Sequence, residues 1–385
     1  MTIPPGKLIS TILKHDAKQT SYKIALLRAV NDVVLSFPDL KEQERDVAIP
    51  LTVLADLWIA YYWPFASEER PILQGARMQV GSRLRHDMAF RPELTNLRQT
   101  WRDLHGGTDT AADGFFLINE LRLPRKRARY PQELLALFDS TRCKVADAIK
   151  QPIQYAGPGE WEVFERPLRY EQVAHRATAI PGTRESDVCV LVPVSLWRTF
   201  QQVSLWVEAL CIHEWCLFSE RVIQPDSAVT RGSVYTLLTE RPSNRLALTW
   251  ERNQVNLLLL EGHTFVCPWT ANVLSSTRYH LDHLIPVSIY PFNELWNLAP
   301  TDPSFNVRKG NRLPTNSRLE QARPHLTSMY GTYSSSADLS KLLKQDATLR
   351  FAALADRADI GPEEITHSVT AMIVQIAESR NLARF

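Results

Sequence analysis

The chain has no C-x-x-C pair and no even set of cysteines: its five stand at positions 143, 189, 211, 216 and 267. The start, Met1-Thr2-Ile3-Pro4-Pro5, is no secretory leader. An odd cysteine count behind such a start leads us to expect reduced thiols in a cytoplasmic compartment. No apolar run approaches the roughly 20 residues that cross a bilayer, so no membrane partner is expected. An excess of one charge is also missing. Lys and Arg number 44 against 42 Asp and Glu, a net charge of +2, so any nucleic-acid binding must come from local patches and not from a global field. Internal repeats, a phosphate-cradling Walker loop and a dinucleotide fingerprint are all lacking. His213-Glu214 would begin a zinc-protease signature, but the second histidine it needs falls on Leu217, and the reading fails on its own spacing.

What is present is an ordinary globular composition, 385 residues and 44% hydrophobic, enough for two or three domains with their own cores. The pattern predicts an α+β fold that is predominantly α-helical. Residues 1–150 read as an all-helical N-terminal domain for sensing or partner binding. Its first strong helix is capped by Thr20 or Ser21, carries Leu26, Val30, Val33 and Phe37, and is stopped by Pro38. Further helices are expected over 50–62, 71–104, 111–121 and 131–148. Trp58, Tyr61, Tyr62 and Trp63 are expected in the core. Residues 151–261 read as a connecting α/β region, with strand-like pieces at 161–164 and 188–192 and a long helix over 194–218. Stretches 233–238, 246–250 and 255–260 read as short strands or helix ends. After 314 the chain is expected to be polar to about 336 and helical beyond. There Gly361-Pro362-Glu363-Glu364 opens a helix that buries Ile365, Val369, Met372 and Ile376 and serves as a docking or homodimer surface.

The densest basic stretch is Arg122-Leu123-Pro124-Arg125-Lys126-Arg127-Ala128-Arg129. On a mobile loop, Arg125, Lys126 and Arg127 could neutralise phosphates without reading sequence; a solvated linker is the equally weighted alternative.

The stretch with chemistry runs from Tyr279 to Pro314, YHLDHLIPVSIYPFNELWNLAPTDPSFNVRKGNRLP. It holds Asp282 beside His283, then Asn297, then Asn306 three residues before Lys309. Polar groups of this kind near apolar strands need partners or a task. Residues 279–286 and 296–300 lean to extended structure, and 303–310 to a helix with Asp302 as N-cap and Pro303 in its first turn. If that helix crosses the hairpin, Asn306 reaches back toward Asp282, and two hard oxygen donors suit Mg²⁺ or Mn²⁺. His283, next along a strand, points to the opposite face and is placed to deprotonate a water.

These residues, with Cys267-Pro268-Trp269-Thr270 upstream, resemble the HNH endonucleases over 262–314. The resemblance implies a ββα-metal module in which Asp282 and Asn306 are metal ligands, His283 is the general base and Asn297 braces the catalytic loop. Lys309 matches a basic residue often found after the second ligand. Asparagine stands at 306 where many members have histidine. Many members also carry a four-cysteine zinc site, and Cys267 alone near the motif leads us to expect none here. The implied activity is metal-dependent hydrolysis of DNA, with Arg308, Lys309 and Arg312 as further phosphate contacts. Modules like this on helical domains resemble restriction or phage-defence nucleases, which would add other defence proteins as partners. The open alternatives are a catalytically inactive binding subunit and a nuclease for RNA.

Overall fold

Proline opens helix after helix in this chain: Pro5, Pro92, Pro124, Pro303 and Pro362 all sit in a first turn, where a missing N–H goes unneeded. The computed structural model describes residues 4–40, 44–69, 71–75, 78–80, 83–85, 87–159, 161–222, 229–240, 248–275, 278–289, 293–355, 357 and 359–385. The fold is α+β and mainly helical. It divides into two units, Met1–Leu35 with Gln43–Arg241, and Ser36–Glu42 with Pro242–Phe385. This partition is coarser than the four segments expected, and its break near 241 precedes the expected one at 261.

The first unit begins with α1 (Pro5–Lys14), α2 (Tyr22–Ser36), β1 (Asp46–Pro50) and α3 (Leu51–Tyr62). A hairpin of β2 (Met78–Val80) and β3 (Arg83–Arg85) leads to α4 (Arg91–Leu104), α5 (Asp113–Arg122), α6 (Pro124–Arg127) and α7 (Gln132–Gln154). Then come β4 (Leu168–Arg169), α8 (Tyr170–Val173), β5 (Ala177–Ala179), β6 (Val188–Val192), α9 (Val194–Val222) and α10 (Arg231–Thr239). The second unit runs through α11 (Thr249–Leu260), β7 (Phe265–Val266), β8 (Val273–Leu274), β9 (His280–His283) and β10 (Leu298–Thr301). It ends in α12 (Pro303–Lys309), α13 (Asn316–Ser335), α14 (Ala337–Thr348), α15 (Ala352–Ala355) and α16 (Pro362–Ser379).

The N-terminal region is not all helix. Strand β1 lies inside a four-stranded sheet of order β4-β6-β1-β5, parallel to β5 and antiparallel to β6, with Ala48 opposite Leu191. Residues 46–50 form a strand because both edges pair with segments more than a hundred residues away, β5 and β6, which local pattern does not record. The helix expected over 71–104 is shorter, its first part being the β2–β3 hairpin. The piece at 161–164 forms no strand, whereas 188–192 does. Helix α9 extends to Val222 and is kinked at Val203; His213 on it is exposed. The stretches at 233–238 and 255–260 belong to helices α10 and α11, and 246–247 lie outside the described residues. The polar tract after 314 is also helical, as α13.

Trp58, Tyr61, Tyr62 and Trp63 are all core residues. Tyr62 packs at 5.1 Å from Trp215 and 5.2 Å from Phe90, and Gly114 of α5 lies so close to α3 that an added Cβ would sit 2.7 Å from that of Trp63. In the second unit α16 buries Ile365, Val369, Met372 and Ile376. That unit's segment Ser36–Glu42 comes from far upstream: Arg350 donates to the Ser36 carbonyl at 3.3 Å, and Asp39 accepts from the Ala353 amide at 2.9 Å. Burial raises the Asp39 carboxyl above its usual range. No helix among the described residues is long and apolar enough to cross a membrane.

Candidate active site

The site is built on β9, β10 and α12. The two strands pair antiparallel with Ala299 opposite Asp282 and Leu298 opposite His283. Helix α12 then starts at Asp302, whose carboxylate accepts from the Ser304 and Phe305 amides at 2.8 and 3.3 Å and from the Ser304 hydroxyl at 2.6 Å. The hydrogen bonds from Ser304 and the Phe305 amide hold this carboxyl down at about 2. The helix ends at Gly310, which takes φ +56°, a conformation glycine adopts without steric cost.

The strand pair is anchored from behind. Tyr330 and Tyr333 of α13 donate to the carbonyls of Trp296 and Leu298 at 2.6 and 3.0 Å, and the Leu295 amide donates to Asp346 at 2.8 Å. Arg350 pairs with Glu294 at 2.5 Å, both buried. Upstream, the turn between β7 and β8 is closed by the Ala271 amide on the Cys267 carbonyl at 3.0 Å and by the Cys267 amide on Asn272 at 2.9 Å.

Asn297 is wholly buried and closes the loop between the strands. Its Oδ1 accepts from the Ile285 amide at 2.8 Å and its Nδ2 donates to the Ile285 carbonyl at 3.1 Å, while its own carbonyl accepts from the Leu284 amide. One carboxamide thus satisfies both backbone groups of a residue two positions past His283.

His283 is 7% exposed, and its Nε2 lies 2.8 Å from Asn293 Oδ1. A carboxamide oxygen only accepts, so Nε2 carries the proton and the basic lone pair sits on Nδ1. Asn293 was not singled out from the sequence. The signal was weak, a carboxamide ten residues downstream in a loop.

Alternation along β9 puts His280 and Asp282 on one face and His283 on the other. Asn306 faces His280, with Nδ2 3.4 Å from Nδ1. The group that reaches Asp282 is instead Lys309, three residues on. Its ammonium lies 2.5 Å from Asp282 Oδ2 and 2.6 Å from the His283 carbonyl, and its side chain is fully buried. Lys309 was expected at a phosphate; it is an internal brace, because α12 crosses the strand directly over it. His280 could have been found from the spacing, since His-x-Asp on a strand shares one face.

A divalent cation was expected here. Among the described residues no cluster of three or more His, Cys, Asp and Glu side chains exists that would hold a metal alone. The groups present that could hold a cation are the Asp282 carboxylate and the Asn306 carboxamide, with the His280 imidazole nearby. With Oδ2 occupied by Lys309, the cation would use Oδ1.

Arg308 and Arg312 are exposed beside this site. Arg125, Lys126 and Arg127 belong to the other unit and lie on a helix, α6, not a mobile loop. Lys126 is 4% exposed and pairs with Glu120 at 2.7 Å; Arg127 pairs with Asp139 at 2.7 Å. Lys126 is therefore not available to a phosphate.

Residues 3–238 match the family model described as "Domain of unknown function (DUF8808)", a span that nearly coincides with the first unit. Residues 268–315 match the model described as "HNH endonuclease", which takes in everything from the β7–β8 turn to the end of α12. No curated protein matches the chain, and no solved structure does.

Proposed function

The chain belongs to the DUF8808 family and carries an HNH endonuclease domain in its second unit, and from this we propose that it is a nuclease that hydrolyses DNA phosphodiester bonds with Mg²⁺ or Mn²⁺. The observation that carries the reading is the pairing of His283 with Asn293 on a strand whose opposite face bears Asp282 and His280. That arrangement separates a base from a cation site across one backbone.

In this reading His283 accepts the proton of the attacking water at Nδ1, and Asn293 holds the ring in the tautomer that allows it. Asn297 fixes the loop that follows His283, so the ring is placed without help from substrate. Lys309 ties the Asp282 carboxylate and the His283 carbonyl to α12, which fixes the distance between strand and helix. Asp282, Asn306 and His280 are the groups that would hold the cation. A bound divalent ion supplies charge stabilisation to the phosphate and to the departing 3′ oxygen. Arg308 and Arg312 offer contacts to flanking phosphates. The first unit is proposed to sense a partner or an invading nucleic acid, in restriction or antiphage defence; its support is the attachment of a separate, mainly helical unit to a nuclease domain, an argument by analogy.

A second reading, a subunit that binds but no longer cuts, is favoured by one observation: Asp282 already has a counter-ion in Lys309. Supercoiled plasmid incubated with the protein and Mg²⁺ or Mn²⁺ separates the two. Nicked or linear product that disappears with chelator supports the nuclease; plasmid unchanged with either ion supports the binding subunit.

A further inference from the structure

Against the motif the second unit folds around a cavity of about 470 Å³, lined by Trp269, Phe305, Phe385, Arg308, Arg312 and Arg318 among others. One side is aromatic. Phe385 meets Trp269 edge-on at 5.4 Å and Phe305 at 5.3 Å, and backbone bonds from the Phe385 amide to the Leu313 carbonyl (2.9 Å) and from the Thr315 amide to the Phe385 carbonyl (3.1 Å) hold it there. The indole N–H of Trp269 is buried and meets no partner among the described residues.

The other side is cationic. Arg308, Arg312 and Arg318 are exposed, and none forms an ion pair with a side-chain carboxylate among the described residues. Such bonds as they make go to backbone carbonyls: Arg318 to Trp269 at 3.2 Å, Arg312 to Lys309 at 3.1 Å and to Arg308. The Arg308 guanidinium lies 5.9 Å from the Phe305 ring.

Guanidinium groups around an aromatic wall match a nucleotide, with phosphate for the cations and a base for the half-buried Phe385 ring, behind which Trp269 and Phe305 are buried. A continuous duplex presents phosphates but keeps its base faces stacked on one another. The aromatic wall is used only when a base has left the stack. Phe305 and Arg308 share α12 with Asn306 and Lys309, so the cavity is next to the proposed cutting site.

We infer that this cavity takes an unpaired nucleotide of the DNA strand being cut, and that the enzyme favours DNA with an unpaired nucleotide beside the scissile phosphate. The inference rests on the nuclease reading of the same site. It adds a substrate class to that reading.

The test uses the full chain in chelator, where nothing is cut, with a labelled duplex and the same duplex carrying a one-nucleotide bulge. The bulged duplex should bind about tenfold more tightly, the effect of stacking one base on an aromatic ring. In Phe385→Leu and Arg318→Gln that ratio should fall toward one. Melting curves check that each variant is folded, and if Phe385→Leu is not, Arg318→Gln carries the comparison. Equal binding of the two duplexes, or a ratio unchanged in folded variants, overturns the inference. So would competition by deoxyadenosine monophosphate at the concentration where the bulged duplex binds, because the cavity would then be a site for a free nucleotide. Binding is read without metal and cutting with it, so the bulge preference can fail while plasmid cleavage stands, and the reverse.

Discussion

Each unit contains a buried lysine bonded to a carboxylate, and the two pairs differ in what surrounds them. In the first unit Lys126 and Glu120 are both about 5% exposed and join α6 to the helix before it. In the second, Lys309 is wholly buried but Asp282 keeps 12% of its side chain in solvent, with His280 and Asn306 on the same side and unpaired arginines close by. The first pair closes on itself. The second leaves one carboxylate oxygen beside His280 and Asn306, whose side chains meet each other at 3.4 Å. A dense basic run in a sequence therefore says little about free positive charge, since two of the five cations in the densest one here, Lys126 and Arg127, are paired with Glu120 and Asp139.

The strongest way to break this comparison is to remove the base. His283→Ala should lower cleavage by about 10² to 10⁴ while the protein stays folded, measured as plasmid nicking beside a melting curve. Near-parental cleavage would remove His283 from the chemistry. Chelator should likewise abolish cutting without shifting the melt, because Lys309 already neutralises Asp282 in the absence of metal.

Next in size are the two lysines. Lys126→Ala and Lys309→Ala each break a buried pair and should each cost about 3 to 5 kcal/mol of stability by denaturant titration. Apolar replacement of both partners sharpens the contrast. Lys126→Met with Glu120→Leu should recover most of the stability and leave cleavage at the parental level. Lys309→Met with Asp282→Leu should recover stability and still fail to cut. Recovery of cutting in the second double variant would make Asp282 a structural residue only.

Arg308→Ala tests the free charge. It should flatten the salt dependence of duplex binding by about 0.9 in slope, whereas Arg127→Ala should leave the slope as it was. The smallest effect concerns Asp302. Its folded carboxyl is depressed to about 2 from an ordinary value near 3.8, so its contribution is complete above about 3.8 and is lost as pH falls through about 2. Asp302→Asn, which still caps the helix but does not titrate there, should melt with a shallower pH dependence between pH 4 and pH 2.

Much of the second unit's site was legible. Asp302-Pro303 announces a helix start, Gly310 its end, and the β9 alternation separates Asp282 from His283 without knowledge of any partner. What the sequence hid depends on distant chain. Residues 46–50 become a strand through β6 at 188–192, and α10, α11 and α13 are helices where short apolar or polar stretches looked ambiguous. The burial of Lys309 follows from how α12 crosses β9, and that of Lys126 from Glu120 one helix earlier. The first joins residues 27 apart and leaves no mark in the residues nearby, whereas Glu120 stands only six residues before Lys126. The expected approach of Asn306 to Asp282 was right about the helix and one turn off in the side chain.

The segment Ser36–Glu42 gives the chain an order of manufacture. Its partners Arg350 and Ala353 lie 314 residues further along. At about 5 to 20 residues per second, the ribosome takes on the order of tens of seconds to supply them. During that interval α2 and the sheet of the first unit can assemble, while Ser36 and Asp39 wait for a docking surface not yet made. The second unit cannot finish folding until the ribosome has passed Ala353. A ribosome stalled after the first unit would release a chain with no finished HNH domain.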